Sequence, residues 1–159
     1  MSIEIRPMTG EDKAAIMRIL HNIPQFQPSE VVVAEEVLDS YLNDESGSGY
    51  FALVAETSPT VAGYVCYGQT PLTEGTWDIY WLAVAPEQQR QGIGATLLAA
   101  AEDNIKQRQG RLMLAETSTK PEYEKTRRFY QSQGYQVVAQ IADYYVPGDD
   151  LLIFQRRLK

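Results

Sequence analysis

The chain has 159 residues, 44% of them apolar and 22% charged, with a formal net charge of −7. That length suits one domain over residues 1–159 with a sizeable core, and no apolar run reaches the ~20 residues that span a bilayer, so no membrane partner is expected. The acidic balance argues against a nucleic-acid partner, which calls for a basic stripe, and is better suited to cationic substrates. A lone Cys66 permits no internal disulfide, and the first residues lack a basic region followed by an apolar stretch. Both point to a cytoplasmic protein without a signal peptide.

Ile3 and Ile5 alternate with polar neighbours and predict a short first strand ending at Pro7. Thr9 reads as an N-cap with Glu11 and Asp12 in the first turn. Ile16, Ile19, Leu20 and Ile23 then recur at helical spacing until Pro24. A second helix is predicted from Ser29, with Val33, Val37 and Tyr41 on one face, running out in a polar loop over residues 43–49. Residues 50–56 and 61–68 read as strands joined through Thr57-Ser58-Pro59-Thr60, and residues 77–84 form the richest β run. That run stops at Pro86, a polar turn follows, and Gly92 and Gly94 open a helix carrying Leu97, Leu98, Ala101 and Ile105, which Gly110 terminates.

Residues 111–117 predict a fifth strand. Pro121 starts another helix, with Tyr123, Thr126 or Arg127, and Tyr130 on one face, closed by Gly134. Residues 136–142 and 151–157 are the last strands, around the turn Val146-Pro147-Gly148-Asp149-Asp150. The order β-α-α-β-β-β-α-β-α-β-β lacks the regular alternation of a doubly wound sheet.

A strand that turns through glycines into a helix start is an anion site. The first helical N–H groups have no partner, the macrodipole is positive there, and glycine lets the backbone approach the anion. A P-loop would need Lys-Ser or Lys-Thr after its last glycine, where this chain has Ala95-Thr96. A dinucleotide fold would need three glycines near the chain start, with an acidic residue ~20 positions on. Both readings fail here.

Gln89-Arg90-Gln91-Gly92-Ile93-Gly94-Ala95 resembles the Gln/Arg-x-x-Gly-x-Gly/Ala signature of the GNAT superfamily of N-acetyltransferases. Downstream, Phe129-Tyr130-Gln131-Ser132-Gln133-Gly134-Tyr135 resembles the family's Phe-Tyr-x-x-x-Gly-Phe/Tyr helix end. The element order matches that fold across essentially the whole chain. The resemblance implies an α/β (α+β) single domain, with a mixed, mostly antiparallel sheet of six to seven strands flanked by about four helices. It implies acetyl-CoA as acyl donor, with the pyrophosphate on the amides of Gln89, Arg90, Gln91, Gly92, Ile93, Gly94 and Ala95, and Arg90 adding charge. It also implies splayed strands, so that the stretch Leu82, Ala83 and Val84 pairs with the pantetheine arm.

Acetyl transfer to an amine requires a deprotonated amine, a stabilised oxyanion and a protonated thiolate leaving group. By resemblance, Tyr130 is the acid at the thioester sulfur, and Phe129 beside it points to the core. Asp78 matches a strand position where some family members carry a catalytic glutamate. Period two puts Asp78 and Tyr80 on one face with Leu82 and Val84, and burial would raise its pKa. Glu116 is the rival base. Ser118 and Thr119 fall where the family often holds pantetheine with an asparagine, which is absent here; Thr119 is the nearest substitute. His21 has no ligand partner at metal spacing, so no metal is expected, and Cys66 reads as a small strand hydrophobe. Tyr144-Tyr145 and Asp149-Asp150 either line an acceptor pocket suited to a cationic amine or form a solvated turn.

Together these features predict an acetyl-CoA-dependent N-acetyltransferase acting on a primary amine of a small molecule or a protein N-terminus, by direct attack in a ternary complex. The alternative is a non-catalytic acyl-CoA-binding sensor or assembly domain. A larger acyl donor and either a monomer or a homodimer stay open.

Overall fold

The computed structural model describes residues 2–44, 47–57 and 59–158. Met1, Glu45 and Ser46 of the predicted loop, Ser58 of the predicted turn, and Lys159 lie outside the described residues. Seven strands form one sheet in the order β1-β2-β3-β4-β5-β7-β6, with β4 and β5 as its parallel pair. The strands are β1 (Glu4–Pro7), β2 (Tyr50–Thr57), β3 (Thr60–Gln69), β4 (Thr76–Val84), β5 (Leu112–Ser118), β6 (Gln136–Val146) and β7 (Asp149–Arg157). The helices are α1 (Lys13–His21), α2 (Pro28–Asn43), α3 (Ile93–Gln107) and α4 (Glu124–Ser132). The predicted order and the single mixed sheet are both present.

The sheet separates two apolar cores. On one side, Ile16 and Leu20 of α1 and Val31, Ala34 and Leu38 of α2 pack over Val54, Tyr64 and Ala83. On the other, Ile93, Leu97, Leu98, Ala101 and Ile105 of α3 cover Val65, Ile79 and Met113, while Tyr130 joins Phe154 and Tyr135. α1 starts as predicted: Thr9 caps a short 3-10 turn, and the Asp12 carboxylate accepts from its backbone N–H at 2.8 Å. The Arg6 guanidinium donates twice to Asp12, holding that carboxyl below its ordinary pKa and tying β1 to the helix start.

Three sequence expectations need correction. The buried stripe of α2 is Val31, Ala34, Leu38 and Tyr41; Val33 is 47% exposed. Three successive valines leave the phase of the helix undecided, and Ala34 and Leu38 decide it. At the end of α3, Gln109 takes the left-handed conformation (φ 68°), while Gly110 is needed because a Cβ there would lie 2.9 Å from the Ile105 carbonyl. Finally, β6 and β7 extend until Val146 pairs with Asp149, leaving only Pro147 and Gly148 as the turn. Tyr144, Tyr145 and Asp149 are therefore strand residues.

One irregularity in β4 governs the site. Cys66 pairs with Trp81 but Tyr67 pairs with Ile79, so Tyr80 is an extra residue, a β-bulge. Trp77 and Ile79 before it, and Leu82 and Val84 after it, all face α3. Asp78 and Tyr80 thus face the α1–α2 side. The period-two expectation that Asp78 shares a face with Leu82 and Val84 is corrected: one inserted residue inverts the phase of everything beyond it.

Candidate active site

β4 and β5 pair in parallel only from Thr76↔Leu112 to Ile79↔Ala115. Beyond that point they diverge, and a cleft of about 1090 Å³ opens between them, reaching from the start of α3 to the turn before α2. Such a volume is at the upper end for small-molecule sites. The Ala85 N–H bonds back to Ala62 of β3 at 2.8 Å, so strand alternation turns the N–H and C=O groups of Leu82 and Val84 to the open edge. The Gln89 side-chain amide donates to the Val84 carbonyl at 3.2 Å, folding the turn back onto the strand end.

The turn from β4 into α3 is built for close backbone approach. Arg90 (φ 68°) and Gly92 (φ 78°) are both left-handed, with Gly92 as the N-cap of α3. Arg90 has no ion pair among the described residues, and as a non-glycine residue it carries a cost of about 1 kcal/mol in that conformation. A Cβ on Gly92 would meet nothing within 4 Å, so backbone conformation, not crowding, selects glycine there. The N–H groups of Ile93, Gly94 and Ala95 have no acceptor among the described residues and point the positive end of α3 toward the cleft. Lys125 of α4 also lines this end; nothing in its spacing marked it in the sequence.

Leu82, Ala83, Val84, Gln89, Arg90, Gly92, Ile93, Gly94, Ala95 and Tyr130 all line the cleft; Gln91 and Thr119 do not. Thr119 is taken by β7: its N–H donates to the Asp150 carbonyl at 3.1 Å, and its hydroxyl accepts from the Asp150 N–H at 2.9 Å. Ser118 donates to the Asp149 carboxylate and accepts from the Lys120 N–H at 3.0 Å. Tyr130 is 6% exposed, stacked on Phe154 and edge-on to Phe129 and Tyr135. Burial raises its phenol above the usual tyrosine range. Phe129, expected at the core, packs against it half-buried and also forms part of the cleft wall, its ring 3.4 Å from where a Cβ on Gly94 would stand.

The opposite half of the cleft is acidic and aromatic. Glu30, Tyr80, Glu116, Tyr123, Tyr145 and Asp149 line it. Glu116 lies on the same sheet face as Asp78. Its pKa is raised, chiefly by burial and secondarily by the Asp78 charge. Asp78 itself does not line the cleft; it accepts from the Thr70 hydroxyl at 2.5 Å. Tyr80 is pushed up to about 12 by burial, with Asp78 next, and Tyr145 to about 12 by burial, with Glu116 next. The Tyr123 hydroxyl donates to the Gln25 carbonyl at 3.1 Å and lies 3.5 Å from a Glu30 oxygen, bridging α4 to the turn before α2. Asp149 is 5% exposed, bonded by Ser118 and 3.7 Å from the Lys120 ammonium. Tyr144 and Asp150 lie outside the lining. Glu30 carried no signal in the sequence and Tyr123 only that of a helix face, because their partners lie more than 90 residues away.

The model of the Acetyltransferase (GNAT) family matches residues 15–135. No curated protein matches the chain. Among solved structures, one assigned to the GNAT family from Desulfovibrio desulfuricans is 37% identical with a TM-score of 0.96, over 99% of this chain and 100% of that one. The ribosomal-protein-S18-alanine N-acetyltransferase of Escherichia coli is 19% identical with a TM-score of 0.79, covering 99% and 95% of the two chains. YncA of Salmonella typhimurium, solved with its cofactor acetyl-CoA, is 22% identical with a TM-score of 0.74, covering 100% and 95%. The last two share the fold. The family match, the 37% identity over whole chains and the divergence of β4 from β5 agree: this chain belongs to the GNAT family of acetyltransferases.

Proposed function

We propose that the chain transfers an acetyl group from acetyl-CoA to the primary amine of a cationic acceptor, a small molecule or a protein N-terminus, with both substrates bound in the one cleft. The observation that carries this reading is the polarity of the cleft: unpaired amides and cations at the α3 end, carboxylates and phenols at the α2 end. The α3 end fits a CoA. The left-handed turn at Gly92 and the free N–H groups of Ile93, Gly94 and Ala95 suit a pyrophosphate. The open edge at Leu82 and Val84 suits the amides of a pantetheine arm, which would add to β4 as a strand does. When bound, acetyl-CoA supplies the activated acetyl group as a thioester.

The residues of this chain then divide the proton work. Glu116 is the better placed of the two carboxylates to take the ammonium proton, because it lines the cleft and Asp78 does not. A raised carboxylate pKa makes it a stronger base, closer to working pH. Tyr130, on the α3–α4 side, holds the proton for the departing sulfur; a phenol shielded by three aromatic rings stays protonated at neutral pH. Glu30, Asp149 and the faces of Tyr80 and Tyr145 would hold the positive charge of the acceptor. The named acceptor of the E. coli neighbour, an alanine of ribosomal protein S18, is consistent with an amine as the nucleophile.

Release of free thiol from acetyl-CoA across a panel of diamines, amino sugars and peptides with free N-termini tests the proposal. Turnover should rise with acceptor positive charge and vanish with N-acetylated acceptors. Tight CoA binding without thiol release from any amine would make the chain an acyl-CoA-binding domain instead.

A further inference from the structure

Tyr130 lines the cleft, and its hydroxyl makes no hydrogen bond among the described residues. Ring contacts alone therefore aim it: Phe129 edge-on at 5.5 Å, Tyr135 edge-on at 5.3 Å and Phe154 stacked at 5.7 Å between centroids. Of those three rings, only Tyr135 has a polar anchor. Its hydroxyl donates to one oxygen of the Glu102 carboxylate at 2.8 Å, and the Arg156 guanidinium donates to the other at 2.8 Å. The Tyr135 N–H also bonds the Tyr130 carbonyl at 3.0 Å, so side chain and backbone of Tyr135 are both tied down at the end of α4.

Glu102 is 6% exposed on the face of α3 that buries Leu98, Ala101 and Ile105. Burying a carboxylate strips its hydration, and apolar residues in place of a buried ion pair are often neutral or stabilising. Stability alone is thus a poor reason for a charge at that position. What the carboxylate supplies is direction. A ring packed only on apolar neighbours slides along them, whereas a hydrogen bond to a charged oxygen fixes both distance and angle. The edge contact of Tyr135 carries that fixed position to Tyr130.

We propose that Glu102 and Tyr135 are positioning residues for Tyr130, the chain Arg156–Glu102–Tyr135 setting where the Tyr130 hydroxyl stands in the cleft. The proposal rests on Tyr130 being the acid of acetyl transfer, a step in which a misplacement of about 1 Å costs up to about 100-fold in rate.

A double-mutant cycle of Tyr135→Phe with Tyr130→Phe tests it, read in kcat, in the dissociation constant of CoA and in melting temperature. Tyr135→Phe keeps the ring and removes its anchor. It should lower kcat about 5- to 10-fold, leave CoA affinity within about twofold, and cause no further loss when Tyr130 is already Phe. Glu102→Leu should match Tyr135→Phe, while Glu102→Gln, which keeps an acceptor for the phenol, should hold kcat within about threefold of wild type. Losses that multiply in the double variant overturn the proposal, as does a lower melting temperature in Tyr135→Phe and Glu102→Leu with kcat unchanged, which marks a packing role. If Tyr130→Phe itself turns over as wild type does, the acid role fails and the proposal with it, a result distinguishable from failure of the chain alone.

Discussion

At the α3 end of the cleft the chain presents mainly backbone, and at the α2 end it presents side chains. The half proposed for the donor is made from the amides of Ile93, Gly94 and Ala95 and the open edge of Leu82 and Val84, with Arg90 and Lys125 as accessory charges. The half proposed for the acceptor is made from Glu30, Tyr80, Glu116, Tyr123, Tyr145 and Asp149, drawn from six separate segments. Backbone recognition tolerates almost any side chain provided the conformation is kept, so it constrains few positions but constrains those severely. Side-chain recognition spreads specificity over many positions, each replaceable at moderate cost. Substitutions in the two halves should accordingly differ in kind.

The most severe loss is expected in the donor half. Gly92→Asp forces a side chain into a left-handed position and sets a carboxylate at the anion site. CoA affinity should fall by at least about 100-fold, or ~2.7 kcal/mol, with little change in acceptor-side residues. Isothermal titration with CoA reads this directly, and retained tight binding would remove the cradle assignment. Next comes Tyr130→Phe, which should lower kcat by about 100-fold while leaving the dissociation constant of CoA within about twofold. A proportionate loss of CoA binding would show that the ring packs the core at Phe154 and does no proton chemistry.

In the acceptor half the effects should be smaller and should appear in pH profiles. Glu116→Gln should reduce kcat/KM by about 10- to 100-fold and remove the acid limb of the profile. Asp78→Asn should act through Glu116. Without the neighbouring negative charge, the Glu116 carboxylate loses a proton more readily, so its pKa falls and the acid limb moves to lower pH. Peak activity should change by no more than a few fold. An acid limb that disappears in Asp78→Asn but persists in Glu116→Gln would reverse the roles of the two carboxylates.

The legibility of the two halves follows the same division. The strand–turn–helix unit at Gly92 was readable because its parts are contiguous, and Gly92 marks the conformation the turn requires. The position of Tyr130 in the cleft wall was readable because it sits in a short motif with Gly134 and Tyr135. Asp78 was placed on the wrong face because the bulge at Tyr80 exists only through pairing with β3, which strand alternation cannot register. Asp149 is buried because β6 and β7 extend past the point where Val146-Pro147-Gly148 suggested a long turn. Thr117 and Thr119 are both strand-end hydroxyls in the sequence; the β5–β7 pairing occupies one and orphans the other.

Order of elements, the glycine turn into α3 and the family were therefore encoded in local patterns: apolar period, turn residues and helix caps act over a few positions and need no distant partner. The acceptor half exists only because the sheet order β5-β7-β6 brings Tyr145 and Asp149 beside Glu116, while Tyr123 reaches across to Gln25 and Glu30. Burial and neighbouring charge, which raise the proton affinities of Glu116, Tyr123 and Tyr145, are properties of that assembly. No stretch of the chain carries them alone.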